Sequence, residues 1–97
     1  MAETTLFYQE LIEAIIQKQA TVLGSAVAVR RARNVEGLEV SDDGKVITMA
    51  GSGPKVLELL VEQYRALSGS IGVNFCRQAV ASWRSAHPDV PLPAILV

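Results

Sequence analysis

Apolar and polar residues in the first third of the chain alternate in the way that is typical of a long amphipathic helix. Apolar residues recur in pairs at helical intervals: Leu6/Phe7, Leu11/Ile12, Ile15/Ile16, Val22/Leu23 and Ala26/Val27. This spacing gives a helix one buried face. The stretch from Glu3 to Asn34 contains no proline and a single glycine, Gly24. We therefore predict one helix over about residues 4–33.

A narrower pattern within this helix has the spacing of a coiled-coil seam. Its members alternate steps of four and three residues: Tyr8, Ile12, Ile15, Gln19, Val22, Ala26 and Val29. A single polar residue in a seam, here Gln19, fixes the register of the pairing at some cost in stability. The alternative is an ordinary core helix of a small bundle, because about three heptads are the minimum for predicting a coiled coil.

The length of the predicted helix favours a second chain. About 28 helical residues would span roughly 42 Å, whereas a compact domain of this size has a radius of gyration of about 12–13 Å. Either the helix breaks near Gly24, or another subunit covers the part that protrudes. We favour the subunit, so the pattern predicts a homodimer with the seam residues and Arg33 in its interface.

The rest of the chain predicts a hairpin followed by two shorter antiparallel helices. Alternation around Leu38, an Asp43-Gly44 turn signal and a β-branched run predict a β-hairpin over about residues 37–49. Helical spacing and capping residues predict helices over about 53–67 and 70–86. The expected fold class is α+β, in a single domain of residues 1–97.

An apolar C-terminal tail follows His87. Residues 88–97 contain three prolines, and no charged residue follows Asp89, so we expect an extended segment. The tail could pack on its own domain, exchange within an oligomer or dock on a different protein. We therefore add Leu92, Ile95 and Leu96 to the candidate partner contacts.

Composition limits the classes of partner. The 97 residues are 49% apolar and 20% charged, which predicts a folded domain with apolar surface to spare. A net charge of -1 argues against overall attraction to nucleic acid or to a membrane surface. The acidic start is unlike a signal peptide, and no apolar run is long enough to cross a bilayer. We expect a cytoplasmic protein without membrane contact.

The arginine cluster Arg30, Arg31 and Arg33 is the most conspicuous polar signal. At 100° per residue the three side chains fan around a helix instead of forming one stripe, and cations stabilise a helix C-terminus. We therefore favour a helix-end role or ion pairing over contact with nucleic acid. In a continuous helix Arg33 would lie near the centre of the apolar stripe, so we expect it to meet a carboxylate from Asp42, Asp43 or another subunit.

The sequence contains no catalytic, metal or cofactor signature. Its single cysteine and single histidine have no partners at the spacing of a metal site. The leading hypothesis is a small non-enzymatic interaction or regulatory protein that acts through homodimerisation and partner binding. The alternative is a module that senses a small molecule or cofactor in a pocket between the hairpin and the helices. Four residues are candidates for lining such a pocket: Tyr64, Phe75, Cys76 and Trp83.

Overall fold

The computed structural model describes the backbone of residues 2–86 and the side chains of residues 7–86. Within that range the chain forms four helices and a hairpin: α1 Ala2–Leu23, α2 Ser25–Arg33, β1 Leu38–Val40, β2 Val46–Met49, α3 Gly53–Ser68 and α4 Ser70–Ala86. The predicted α+β class is confirmed. The predicted tail, with Leu92, Ile95 and Leu96, lies outside the described residues.

The predicted single helix over residues 4–33 is wrong, because the chain breaks at Gly24 and folds back as α2 against α1. Gly24 has φ 90° and ψ 148°, a conformation that is nearly restricted to glycine. The reversal buries Ala28, Val29 and Ala32 in the core of the same chain. The free energy of burying these side chains is therefore gained without a second subunit.

The predicted coiled-coil seam lies largely inside this core. Five of its side chains are buried in the described chain: Tyr8, Ile12, Ile15, Gln19 and Val29. They cannot form a surface interface with another copy, so that part of the prediction is wrong. Helices α2, α3 and α4 all pack on α1 and cover the face that the seam pattern predicts to contact a partner. The seam residues Val22 and Ala26 remain exposed.

The hairpin packs on the helices through one face. β1 and β2 are antiparallel, with Leu38 opposite Met49 and a bulge between Glu39 and Val40. Leu38 and Val40 are buried, whereas Glu39 between them is exposed. This alternation is the period of two that the sequence shows.

Helix side chains hydrogen-bond to the outer edge of each strand. Arg33 Nε donates to the Val40 carbonyl of β1 at 3.0 Å. On β2, the Val46 N–H donates to Glu13 Oε2 at 2.8 Å. Unpaired strand edges favour pairing with other chains, so these two bonds help to keep a two-stranded hairpin within one molecule.

Helices α1 and α3 run toward one end of the molecule, and α2 and α4 lead away from it. Near the start of α1, Gly53 at the beginning of α3 packs directly on the Tyr8 ring. At the other end, the Tyr64 hydroxyl of α3 donates to the Ala28 carbonyl of α2 at 2.8 Å. The corners between α1 and α2 and between α3 and α4 therefore lie at the same end.

We predict that Gly24→Ala lowers the free energy of unfolding by about 1–3 kcal/mol, because an alanine is strained at this φ and ψ. No atom lies within 4 Å of the added Cβ, so the effect reports backbone strain and not a steric clash. Urea unfolding followed by circular dichroism measures it. Ser25→Ala, at the exposed neighbouring position, is the control and should change stability by less than about 0.5 kcal/mol. Equal effects of the two substitutions would show that Gly24 does not determine the break.

Candidate functional site

The predicted small-molecule pocket is occupied by protein side chains. Tyr64, Cys76 and Trp83 belong to the hydrophobic core, and Phe75, next to Cys76 in α4, is half-buried. The Tyr64 hydroxyl, which a ligand could have used, donates to the Ala28 carbonyl at 2.8 Å. The structure thus brings the four residues close to the core but leaves no described cleft between them.

Three shallow clefts are described on the surface, and other residues line them. One of about 350 Å³ lies between α2 and the hairpin, beside Arg30 and Arg33. Another of about 400 Å³ lies at the junction of α3 and α4, between Arg65 and Arg77. A third of about 420 Å³ lies at the base of the hairpin and the start of α3. Small-molecule sites normally bury most of their ligand, and none of these open clefts would do so.

Arg33 meets the carboxylate that the sequence led us to expect. Its Nη2 atom lies 2.7 Å from Asp42 Oδ1, while its Nε atom bonds to the hairpin backbone. The predicted position of Arg33 within the apolar stripe is wrong. Because the chain breaks at Gly24, α2 is a separate helix, and the stripe of α1 does not continue along it. Arg30 is exposed and Arg31 half-buried, so the structure shows no single basic stripe along α2 of the kind that tracks a phosphate backbone.

Cys76 is a buried thiol with little tendency to ionise. Burial raises its pKa from 9.0 to about 11, and the hydrogen bond from Gln19 partly opposes this shift. The Gln19 Nε2 atom lies 3.4 Å from Cys76 Sγ. Burial likewise raises the pKa of the Tyr64 hydroxyl. Since the thiolate is the reactive form of cysteine, this position favours a packing role.

Two uncharged stretches of the sequence meet at one end of the molecule. Residues 19–29 and 66–76 contain no Asp, Glu, Lys or Arg, and they form the corners at Gly24 and Gly69. The Gln19 Nε2 atom donates to the Gly72 carbonyl at 2.9 Å and joins the two corners. The bond between Tyr64 and Ala28 joins them a second time. We call residues 19–29 and 66–76 the uncharged end.

The uncharged end carries most of the large apolar side chains that are exposed in residues 7–86. Four of the five such side chains lie on it: Val22, Val27, Leu67 and Ile71. The fifth, Ile47, lies on the hairpin and is 62% exposed, which nearly equals the 61% of Ile71. Scattered apolar side chains are normal on protein surfaces, whereas a group at one place indicates an interaction site.

Basic residues border both uncharged stretches in the sequence. We call them the basic rim, and they are Lys18, Arg30, Arg65 and Arg77. Segments 14–35 and 63–86, which lead into and out of the uncharged end, contain no Asp or Glu. The Lys18 Nζ atom lies 5.9 Å from the centre of the Phe75 ring, which places its charge beside α4.

Asp42, which lines a cleft with Ser25 and Ala26, and two other carboxylates, Asp43 and Glu62, have basic neighbours. Asp42 pairs with Arg33 at 2.7 Å, and Glu62 pairs with Arg65 at 3.2 Å. Asp43 accepts a hydrogen bond from the Ser41 hydroxyl, which lowers the pKa of its carboxyl, and the charge of Lys45 adds a smaller contribution in the same direction. The surroundings of the uncharged end therefore retain an excess of positive charge.

Neither metal-binding groups nor membrane-spanning segments were found in the described chain. Within it, no three or more His, Cys, Asp or Glu side chains come together as a possible metal site. None of the described helices is both long and apolar enough to cross a bilayer. No protein-family model, curated protein or solved structure matches the chain. Its function is therefore inferred from its geometry.

We predict that Arg33→Ala destabilises the protein more than Asp42→Ala. Arg33 also bonds to the Val40 carbonyl, and losing a charge-assisted hydrogen bond costs about 1.5–3 kcal/mol. The Asp42 side chain is 98% exposed, and exposed ion pairs contribute little. Urea unfolding of both single variants and the double variant measures the two losses and their coupling. A coupling as large as the whole Arg33→Ala loss would show that the ion pair dominates.

We also predict that Cys76 reacts with a thiol reagent at pH 8 at least about a hundredfold more slowly in the folded protein than in urea. A rise of two pKa units lowers the thiolate fraction by that factor. The reagent 5,5′-dithiobis(2-nitrobenzoate), followed by its absorbance, measures both rates. Because the folded-state pKa is raised, the protein should also lose stability as the pH rises from 9 toward 11. Equal reaction rates would show that the thiol is accessible.

Proposed function

We propose that this chain is a non-enzymatic interaction protein that binds a larger partner through its uncharged end. The observation that carries this proposal is the meeting of two uncharged corners, which expose Val22, Val27, Leu67 and Ile71 together. Burying apolar surface is favourable by about 25 cal/mol per Å². A partner that covers these side chains would therefore gain free energy that the isolated chain does not.

The construction of the uncharged end supports a binding role. Two hydrogen bonds, from Gln19 to Gly72 and from Tyr64 to Ala28, hold the corners in fixed relative positions. A surface that is already ordered loses less conformational entropy on binding. Binding of this kind requires neither a catalytic group nor a cofactor.

Homodimerisation remains a prediction, but the coiled-coil seam no longer supports it. The seam that suggested it is mostly buried within one chain, which leaves the uncharged end as the apolar surface. Two copies that met head-on through this end would bring Lys18, Arg30 and Arg77 close to their own counterparts. Like charges in apposition disfavour such a pair. Binding through the C-terminal tail also stays a prediction, since residues 88–97 lie outside the described structure.

We predict that a photo-reactive p-benzoylphenylalanine at Ile71 forms covalent adducts with a bound partner in the cells that make the protein. The same group at Ile47 serves as the matched control, because the two side chains are 61% and 62% exposed. Electrophoresis and mass spectrometry of irradiated cells measure the adducts. Position 71 should give a discrete protein or lipid adduct and position 47 should not.

The mass of the adduct identifies the kind of partner. An adduct of twice the chain mass would indicate a second copy, and a different mass would indicate another protein or a lipid. Equal cross-linking at both positions, or none at position 71, would contradict binding through the uncharged end.

A further inference from the structure

We infer that the partner of the uncharged end is the surface of an anionic lipid bilayer. This inference rests on the proposed function and specifies it further. The exposed aliphatic side chains would enter the boundary between headgroups and acyl chains. The basic rim would lie at the level of the lipid phosphates. Peripheral membrane proteins bind through this combination of apolar insertion and attraction to anionic headgroups.

The spacing between the apolar tips and the basic rim fits this depth. Along their helices, Val22 lies four residues beyond Lys18, and Ile71 lies six residues before Arg77. At 1.5 Å per residue, these intervals measure about 6 and 9 Å along the helix axes, and those from Val27 to Arg30 and from Leu67 to Arg65 measure about 4.5 and 3 Å. Interfacial apolar groups penetrate about 5–10 Å into the headgroup boundary. Insertion of the tips would therefore bring the basic side chains to the phosphates.

The local charge favours an anionic surface in spite of the net charge of -1. At physiological ionic strength, exposed charges separated by more than about 8 Å are largely screened from each other. A bilayer at the uncharged end would thus respond chiefly to the basic rim. Asp42 pairs with Arg33, outside the rim, whereas Glu62 pairs with Arg65 and partly neutralises that member of the rim. The sequence prediction of no membrane contact rests on the net charge of the chain. That total does not describe the local charge at the uncharged end.

The chemistry of the surface favours a bilayer over a protein partner. In protein–protein interfaces, the few residues that contribute most of the binding energy are often Trp, Tyr and Arg, and less often Leu, Val and Ser. The large exposed apolar side chains of the uncharged end are aliphatic. Serines lie on both sides of Gly69, and one serine follows Gly24. The two clefts described at this end, one beside Arg30 and one between Arg65 and Arg77, are shallow and open. A fluid bilayer needs no complementary shape in its partner.

The test measures co-sedimentation of the full chain with lipid vesicles. The vesicles are phosphatidylcholine alone or phosphatidylcholine with about 30 mol% phosphatidylserine. We expect binding at least about tenfold stronger to the anionic vesicles, and a loss of binding when salt is raised from about 0.05 to 0.5 M. No binding to the anionic vesicles at millimolar lipid would overturn the proposal.

Matched substitutions locate the contact. Ile71→Asp should weaken binding to the anionic vesicles at least about tenfold, whereas Ile47→Asp, at an equally exposed position, should leave it unchanged. Arg30→Glu should weaken binding, and Lys45→Glu at the exposed hairpin turn should not. Circular dichroism melts confirm that all four variants fold. Equal binding by Ile71→Asp and Ile47→Asp would overturn the proposal and indicate another part of the chain, such as residues 88–97.

The outcomes separate this inference from the proposed function. If the vesicles fail to bind while position 71 still cross-links to a protein in cells, the bilayer is the wrong partner and the interaction surface stands. If position 71 gives no adduct and the vesicles do not bind, both are wrong.

Discussion

The reversal of the chain at Gly24 determines how every other element packs. Without it, α1 and α2 would form one rod of roughly 48 Å, but the described molecule has a longest extent of 31 Å. Folding back puts Ala28 within hydrogen-bonding distance of Tyr64 in α3 and places Arg33 beside the hairpin. Because Gly24 adopts this conformation at little cost, helices of the same chain cover α1, and no second subunit is needed to bury its apolar face.

Gln19 is a polar residue with a structural consequence. Its side chain is fully buried and donates to the Gly72 carbonyl, while its Oε1 atom has no hydrogen-bond partner in the described residues. A buried polar atom without a partner costs free energy. The side-chain amide nevertheless joins α1 to α4 through its bond to Gly72 and so fixes the relative axial position of the two helices. The sequence pattern predicted that Gln19 fixes the register of a coiled-coil seam with a second chain. In the structure Gln19 is buried and bonds to α4 of its own chain.

The uncharged end and the basic rim both lie at the two corners of the chain, at Gly24 and Gly69. Both corners turn at a glycine with positive φ, Gly24 and Gly69, and each glycine lies in a stretch that contains no charge. The charged residues begin about one or two turns away, where helix surfaces meet solvent. Apolar tips and set-back cations are therefore produced together. This arrangement is why we connect the geometry with a bilayer surface in our proposal.

Local patterns in the sequence predicted the hairpin and the two later helices, because these depend on neighbours within about ten residues. For Arg33 they indicated a carboxylate partner but left Asp42, Asp43 and another subunit open. They also showed that α1 has a broad apolar face. They could not determine whether Gly24 bends the chain, since a glycine tolerates both a helix and a reversal. Only the tertiary structure decided that the face is buried within one chain and that residues 19–29 and 66–76, about 47 positions apart, form one surface. Contacts between distant segments depend on packing free energy summed over the whole core, and no local pattern records that sum.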